Sequence, residues 1–269
     1  MIPKLIHYCW FGRNSLPESA LNCIESWKKF FPEYKIIEWN EDNFDFSECR
    51  YAREAYEKKK YAFVSDYARY KIMYKFGGLY FDTDVEVVND YSDIILSGNF
   101  MGMEETPSHK LAAVNPGLGF GSEPQNDFIK NMIDIYEKIS FYDNDGNYNT
   151  MTIVDYTTKQ LRNYGLKDDD IIQQIESFTI YPKKYFCPLD YYSGKLKIEP
   201  ETHSIHHFTA TWHSEREHRN YEYAKKISRV MPFSVADKIV TALFVLRYDG
   251  LRSLVKKIFK ITSGGNYGE

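Results

Sequence analysis

Residues 65–85 constrain the fold of this chain more than any other segment. Apolar residues spaced four apart predict a helix that ends at the pair Gly77-Gly78, which is a strong helix stop. The alternation of apolar and polar residues after the glycines predicts a strand that carries Asp82 and Asp84. The sequence therefore predicts a helix followed directly by a strand that carries the acidic pair Asp82 and Asp84.

We expect Asp82 and Asp84 to lie on one face of that strand, because alternate strand residues point the same way. Two neighbouring carboxylates repel each other, and the repulsion raises a pKa unless a cation lies beside them. A divalent metal ion bound to a phosphate-bearing substrate would provide that cation. The alternative, a pair of solvent-facing residues on an edge strand, is less consistent with the depletion of Asp in strands.

Asp66 and Arg69 stand one helical turn apart just before this strand. By themselves they fit a surface ion pair worth a few tenths of a kcal/mol. Next to the acidic strand we favour a functional interpretation, because a guanidinium is a permanent, planar, multi-donor cation that suits phosphate.

The N-terminal part predicts an α/β fold with a parallel sheet. A strand over 3–10, a helix over 16–31 that Pro32 ends, and a strand over 34–39 form a βαβ unit. Helices near 48–60 and 62–76 then lead to the acidic strand. Ligands of open α/β sheets bind beyond the carboxyl ends of the strands.

Trp10 follows the first predicted strand, whereas Asp82 and Asp84 end a later one. We therefore expect all three at the same edge of the sheet. Trp10 also fits a simpler role as a core or rim residue, and we interpret His7 as a core or strand-edge residue.

The chain resembles the DXD-motif glycosyltransferases of the GT-A type. It is most similar to bacterial capsular and extracellular polysaccharide enzymes, and more distantly to yeast initiating mannosyltransferases and the catalytic domains of large clostridial glucosylating toxins. The segments that carry the resemblance are IHYCWFG at 6–12, SWKKFFPEYKIIEWNE at 26–41, SDYAR at 65–69, GGLYFDTDV at 77–85 and HHFTATW at 206–212.

This resemblance implies a GT-A fold, which is Rossmann-like, with a mostly parallel sheet flanked by helices. The catalytic domain would span 1–214, with a nucleotide-sugar-binding part at 1–105 and an acceptor-side part at 106–214. Residues 215–269 would form a C-terminal helical extension.

The resemblance also implies contacts with the donor nucleotide. Trp10 would stack on the base, Gly12 would let the backbone approach closely, and Tyr80 would touch the nucleotide. Asp82 would bind ribose and metal, and Trp212 is expected near the nucleotide.

The donor sugar and diphosphate would be held by Asp66 and Arg69, and Asp84 is the expected direct metal ligand. Asn115 is a candidate for contact with the donor sugar or the acceptor, with a turn role as the alternative. A late histidine completes the metal site in related GT-A enzymes, and His207 matches that position. His206 is the alternative, because adjacent strand residues face opposite ways, and both could also be solvent-facing residues of a strand end.

Carboxylates, one imidazole and diphosphate oxygens suit Mn²⁺, with Mg²⁺ as a substitute. By resemblance, the chain would be a retaining transferase that moves a hexose from a nucleotide sugar, expected to be a UDP-sugar, to a glycan or lipid-linked polysaccharide precursor. Two alternatives stay open: a nucleotide-sugar hydrolase and a catalytically inactive glycan-binding module.

Composition fits an enzyme of this kind. The chain has 269 residues, enough to bury a proper core. Its net charge of −4 gives no electrostatic case for nucleic acid as a partner. Four cysteines are scattered without C-x-x-C spacing, so we expect them to be buried small apolar residues.

The N-terminus does not read as a signal peptide, because Pro3 and His7 interrupt its short apolar stretch. No segment approaches 18 consecutive apolar residues, which predicts a cytoplasmic protein. Apolar and basic residues mixed over 232–262 predict an amphipathic helical hairpin suited to the inner face of the plasma membrane. Packing of these helices on the catalytic domain is the alternative.

Overall fold

The computed structural model describes residues 1–105, 113–143, 146–149, 151–191, 193–209, 219–220, 223–224, 226–228, 231 and 233–263. The helices in these ranges are α1 (Glu18–Phe30), α2 (Arg50–Glu57), α3 (Tyr61–Phe76), α4 (Ser92–Leu96), α5 (Asp127–Lys138), α6 (Ile153–Asn163), α7 (Lys183–Phe186) and α8 (Phe233–Ser263). The strands are β1 (Leu5–Cys9), β2 (Lys35–Trp39), β3 (Gly78–Tyr80), β4 (Val85–Val87), β5 (Phe100–Glu104), β6 (Ala113–Asn115), β7 (Phe120–Ser122), β8 (Gln173–Ile175), β9 (Phe178–Tyr181) and β10 (Ser204–His206).

An eight-stranded sheet forms the centre of the described residues before residue 210, in the order β2-β1-β3-β7-β5-β9-β8, with β6 also paired to β5. Strands β1, β2 and β3 are parallel to one another, as are β5 and β9, and β7 runs antiparallel to both β3 and β5. Five of the eight strands therefore point the same way, while β6, β7 and β8 oppose them. Helices flank this sheet, and the predicted α/β class is confirmed.

The predicted N-terminal βαβ unit is confirmed. β1 and β2 pair in parallel register from Leu5 opposite Lys35 to Cys9 opposite Trp39. The connecting helix α1 ends where predicted, just before Pro32, and the Phe31 N–H donates to the Trp27 carbonyl as a C-cap. Trp27 is fully buried, so the helix anchors its apolar face in the core.

The prediction of one continuous strand through the acidic pair is wrong. The chain leaves the large sheet after β3, and the N–H of Val85 donates to the carbonyl of Asp82 at 3.0 Å, so the aspartates lie in a turn. β4 then pairs antiparallel with β10 in a separate two-stranded sheet. Aspartate favours turns over strands because its side chain competes for backbone hydrogen bonds.

His7 fixes the corner between β1 and the end of α3. Its Nδ1 accepts from the Trp39 indole N–H at 3.0 Å, so Nε2 carries the proton and donates to the Gly77 carbonyl at 2.9 Å. Burial lowers the pKa of His7 to about 4, which keeps the ring neutral. The core role predicted for His7 is confirmed.

The chain divides into two compact units, one of Met1–Leu189 with Leu196–Thr209 and one of Asp190–Lys195 with Ala210–Glu269. The first contains both sheets. In the second, α8 is interrupted at Gly250, whose φ of 78° breaks the helix into two. The predicted boundary after residue 214 remains a prediction.

All four cysteines are buried, as expected. No described helix combines the length and apolarity that a bilayer crossing requires.

Candidate active site

Helix α3 directs the side chains of Asp66 and Arg69 into the protein interior. Their side chains are only 9% and 4% exposed, so the interpretation as a surface ion pair is wrong. Arg69 Nη2 lies 3.2 Å from Asp66 Oδ1 and 3.2 Å from Asp82 Oδ1, and Nη1 donates to Asp82 Oδ2 at 3.3 Å. The guanidinium therefore grips Asp82 through both carboxylate oxygens, a geometry that Arg favours.

Tyr80 supports this guanidinium from the end of β3. The Arg69 Cζ atom lies 4.8 Å from the Tyr80 ring centroid, and the Tyr80 hydroxyl donates to Asp82 Oδ1 at 3.3 Å. Tyr80 is 1% exposed, so in this structure it contacts Arg69 and Asp82. The predicted contact of Tyr80 with a nucleotide stays a prediction.

Asp66 is one of the two most deeply buried acids of the cluster, together with Glu104. Burial raises the pKa of Asp66 to about 7, against the opposing charge of Arg69 and with a further contribution from Asp82. The backbone N–H of Ile153, at the start of α6, also donates to its carboxylate. A helix N-terminus thus helps Arg69 to hold this acid.

The two-stranded sheet brings His206 to Asp84. Val85 pairs with His206, and His206 Nε2 lies 3.3 Å from Asp84 Oδ1. The backbone N–H and hydroxyl of Thr209 both donate to Asp84 Oδ2, at 2.9 and 3.2 Å. Burial favours the neutral acid, but His206 and Thr209 outweigh it and lower the pKa of Asp84 to about 2. Against its own burial, the Asp84 carboxylate raises the pKa of His206 well above its ordinary value.

The structure places His206, and not the predicted His207, beside Asp84. His207 points the opposite way and its Nε2 lies 2.8 Å from Glu86 Oε2, with 37% of the side chain exposed. Adjacent residues of a strand face opposite sides, so only one of the two imidazoles can reach the aspartate.

The donor set at this point fits a divalent ion. Ligand atoms at right angles around an ion with bonds of about 2.1 Å are about 3 Å apart, and Asp84 Oδ1 and His206 Nε2 are 3.3 Å apart. Four carboxylates, those of Asp66, Asp82, Asp84 and Glu104, are set against the cationic partners Arg69 and His206. A divalent ion would offset part of this excess of acidic groups. Asp82, predicted as a second ligand, is engaged by Arg69 in this structure.

Asn115 holds a loop against Asp82. Its Nδ2 donates to Glu104 Oε2 at 2.9 Å, and its Oδ1 accepts from the Gly117 N–H at 2.7 Å. The Gly117 carbonyl in turn accepts from the Asp82 N–H at 3.0 Å. Asn115 therefore has the turn role that we weighed as the alternative, and contact with a sugar stays a prediction.

Three residues near these acids were not predicted: Glu104, Gly117 and Thr209. Glu104 ends β5 and is 6% exposed. A Cβ on Gly117 would lie 1.8 Å from Asp82 Oδ2, so a larger residue at this position would displace that carboxylate. The N-P-G run before Leu118 and the acid at the end of a buried strand are signals that could have pointed to them.

Trp10 and Gly12 follow β1 at the edge where β3 also ends, because β1 and β3 are parallel with His7 opposite Tyr80. The predicted convergence of Trp10 and the acidic pair on one edge is thus confirmed by the topology. Trp10 is half-buried, and its Nε1 donates to the Asn14 carbonyl at 2.7 Å.

Gly12 has a φ of 100°, and a Cβ there would lie 2.4 Å from the Tyr61 ring. Packing against Tyr61 thus accounts for this glycine without a nucleotide. Trp212 lies outside the described residues, and its predicted role stays a prediction.

Comparison with known proteins places the acidic turn in a recognised region. Residues 17–101 match the family model described as a glycosyltransferase sugar-binding region containing a DXD motif. An inositol phosphoceramide mannosyltransferase of Schizosaccharomyces pombe is 32% identical over 88 residues, which is 31% of this chain and 24% of the yeast protein. An uncharacterized glycosyltransferase of Acanthamoeba polyphaga mimivirus is 32% identical over 106 residues, or 37% of this chain and 42% of the viral protein. The chain thus spans less than half the length of either relative.

Two solved glycosyltransferase structures align with this chain at low similarity. The PaToxG glycosyltransferase aligns with a TM-score of 0.47 and 20% identity over 60% of this chain and 69% of its own. A glycosyltransferase involved in glycosylation of the major capsid of PBCV-1 aligns with a TM-score of 0.42 and 13% identity over 89% of this chain and 100% of its own. Similarity at this level carries no argument about substrate or mechanism.

Proposed function

Residues 17–101 match the family of glycosyltransferase sugar-binding regions that contain a DXD motif, and from this match we propose that the chain is a metal-dependent, retaining hexosyltransferase. Its donor is a nucleotide sugar, proposed as a UDP-hexose. Its acceptor is a glycan or lipid-linked polysaccharide precursor.

One observation carries the proposal. Asp84 Oδ1 and His206 Nε2 are 3.3 Å apart, in a buried cluster with more carboxylates than cations. We propose Asp84 and His206 as protein ligands of Mn²⁺, with Mg²⁺ as a substitute, and Asp82 as a residue that contacts ribose or ion when a donor is bound. The mixed oxygen and nitrogen set suits these ions.

The bond that breaks joins the anomeric carbon to the donor diphosphate, and negative charge builds up on the departing nucleotide. A bound divalent ion would act as a Lewis acid on those phosphate oxygens. Arg69 supplies a second, permanent positive charge that Asp66 and Asp82 hold in place, so little reorganisation is needed as the charge develops.

Retention of anomeric configuration is proposed because of the family resemblance. In this scheme the acceptor hydroxyl attacks the face from which the diphosphate departs, and the diphosphate helps to take its proton. Asn115 and Glu104 are buried beside Asp82 and Asp84, so we propose that they border the sugar-binding space. Trp10, at the same sheet edge, is proposed to stack on the nucleotide base.

A panel of nucleotide sugars with Mn²⁺, scored by nucleotide release with and without glycan acceptors, tests the proposal. We expect acceptor-dependent release from one UDP-sugar and its loss in Asp84→Ala. Asp134→Ala is a matched control, because Asp134 forms only a surface ion pair with Lys130 on α5. Anomeric configuration of the product, read by NMR, tests retention.

Other outcomes would favour the alternatives. Release of free sugar with no acceptor requirement would indicate a nucleotide-sugar hydrolase. Sugar binding that is independent of Mn²⁺ and unchanged in Asp84→Ala would indicate a catalytically inactive glycan-binding module.

We also propose that α8 contacts an anionic membrane surface at the inner face of the plasma membrane, with the chain in the cytoplasm. Its first half exposes an apolar stripe at helical spacing beside the exposed Lys238 and Arg247, and the stripe consists of Val235, Ile239, Leu243 and Leu246. Apolar area combined with basic charge is the composition that anionic lipid attracts. The basic and apolar residues from Leu254 to Lys260 lie outside the described side chains.

Flotation with anionic liposomes tests this contact. The double variant Leu243→Gln/Leu246→Gln should float less than the parent chain, and neutral liposomes should bind neither. Equal flotation of parent and variant would remove the proposal.

A further inference from the structure

Behind Asp84, the second nitrogen of His206 faces a small buried cluster. His206, Glu104 and Cys187 each offer one ligand atom, and these three atoms lie within 4.8 Å of one another. All three residues are buried, at 9%, 6% and 6% exposure. They come from three separate elements: β10, β5 and the residue after α7.

His206 Nδ1 points into this cluster and makes no hydrogen bond of ordinary geometry with the described residues; the Cys187 thiol, a member of the cluster, is its one weak partner there. The nearest carboxylate oxygen, Glu104 Oε2, is 3.9 Å away, which is beyond hydrogen-bond length. A buried imidazole nitrogen with no partner is costly, and nearly all such groups in proteins are satisfied. The nitrogen is therefore aimed at a position where something else can bind.

The other ring nitrogen has the partner that a metal-binding histidine normally has. His206 Nε2 lies 3.3 Å from Asp84, and metal-ligating histidines usually donate their second ring N–H to a carboxylate. Asp84, His206 and the cluster thus form the arrangement carboxylate, histidine, metal position.

We propose that Glu104, Cys187 and His206 Nδ1 form a second metal site, selective for a thiophilic divalent ion such as Zn²⁺. A thiolate, an imidazole and a carboxylate are ligands that Zn²⁺ accepts in tetrahedral sites, whereas Mn²⁺ and Mg²⁺ prefer oxygen. Three protein ligands leave a fourth position for water. A modest inward shift of the three side chains brings their atoms to bonding distance.

Binding at this site releases protons. Burial raises the pKa of the Cys187 thiol, so the thiol is protonated before the ion arrives and gives up its proton to become a ligand. The imidazolium of His206 likewise loses the proton on Nδ1. It keeps the proton on Nε2, which stays hydrogen-bonded to Asp84.

An ion at this site would also regulate Mn²⁺-dependent nucleotide binding, and only this regulatory effect depends on the proposed function. With the soft ion on Nδ1, His206 Nε2 stays protonated and bound to Asp84. This nitrogen can then no longer bind the Mn²⁺ ion that we propose beside Asp84. Zn²⁺ should therefore compete with Mn²⁺-dependent nucleotide binding although the two ions occupy different positions.

Titration of the whole chain with Co²⁺, without nucleotide, tests the site directly. Co²⁺ reports thiolate ligation by a charge-transfer band in the near ultraviolet and tetrahedral geometry by visible bands. We expect both bands at one equivalent and their loss when Zn²⁺ displaces Co²⁺. The charge-transfer band should vanish in Cys187→Ser and persist in Cys49→Ser, a matched control because Cys49 is also buried but lies in the other hydrophobic cluster, beside Tyr136.

Absence of the band from the parent chain overturns the site, and so does a band that survives in a folded Cys187→Ser variant. Circular dichroism establishes folding, and Glu104→Gln gives a second check, since it should weaken Co²⁺ binding at least about tenfold while leaving the thiolate band. Calorimetry of Mn²⁺ with UDP separates the two proposals. A cobalt band without Mn²⁺-dependent UDP binding leaves this site standing and removes the donor-metal assignment.

Discussion

Gly117→Ala should disable the DXD turn without unfolding the protein. A Cβ at Gly117 would lie 1.8 Å from Asp82 Oδ2, 2.7 Å from Asp82 Cγ and 3.0 Å from Arg69 Nη1. Gly117 is not among the residues with positive φ, so alanine suits its backbone and only the collision is new. The substitution therefore pushes on one carboxylate.

The size of the effect follows from these distances. Contacts below 3.0 Å are essentially never seen for Cβ atoms, so the Asp82 oxygen, at 1.8 Å, must move by at least about 1.2 Å. That movement breaks the paired contacts with Arg69 at 3.2 and 3.3 Å. A misplacement of about 1 Å in a binding site can cost about 100-fold in rate, which is about 2.7 kcal/mol. Overpacking should destabilise the fold by about 1–3 kcal/mol.

Steady-state kinetics with the donor that the panel identifies should show kcat/KM reduced about 100-fold. The control is the same substitution in an Asp82→Ala background, where the added methyl group meets no carboxylate and should have little further effect. Additive effects in the double variant, or a Gly117→Ala enzyme with normal kcat/KM, would refute the reasoning that Gly117 acts through Asp82.

Three further predictions concern neighbouring groups. His206→Ala should weaken Mn²⁺-dependent UDP binding at least about tenfold in calorimetry, whereas His207→Ala should leave it nearly unchanged because His207 contacts Glu86; the opposite pattern would restore His207 as the ligand. Burial raises the pKa of Asp66 to about 7, above the value of about 3.9 in an unfolded chain, so the folded state holds a proton that the unfolded state has lost and stability should fall as pH rises from about 4 to about 7. Urea unfolding at pH 5 and pH 8 should show a loss of up to about 2.6 kcal/mol, because the proton is lost over about two of those pH units, and Asp66→Asn should abolish most of it; a parent chain equally stable at both pH values would contradict it. Trp27→Phe should cost about 1–3 kcal/mol in urea unfolding, because it leaves the buried Val85 carbonyl without the indole donor at 2.7 Å, and a loss below about 0.5 kcal/mol would show that this bond contributes little.

Local patterns in the sequence predicted most of the architecture. Apolar periodicity and the Gly77-Gly78 stop gave α3, and Pro32 marked the end of α1, because these signals act within a few residues. The strand through Asp82 and Asp84 was wrong for a non-local reason. β4 leaves the large sheet to pair with β10, a partner more than a hundred residues later that no local pattern reveals.

In the candidate site, too, the residues of one local segment could be predicted, whereas those that depend on non-local pairing could not. Asp66, Arg69, Asp82 and Asp84 lie within one short segment and were all predicted. Whether His206 or His207 faces Asp84 depends on the register of β10, which only the tertiary structure fixes. Glu104 and Gly117 belong to the site because of their contacts with Asn115 and Asp82. The spacing of residues in the sequence does not predict such tertiary contacts.

The two-stranded sheet of β4 and β10 makes the site a late product of folding. A nascent chain that has been synthesised as far as residue 101 already contains both aspartates of the turn. It lacks the imidazole of His206 and the hydrogen-bond donors of Thr209 that contact Asp84. On the ribosome, such a chain would have its acidic motif exposed to ions for the whole interval before β10 emerges. The two proposed metal ligands, Asp84 and His206, can come together only after β10, the last strand of this unit, has paired with β4.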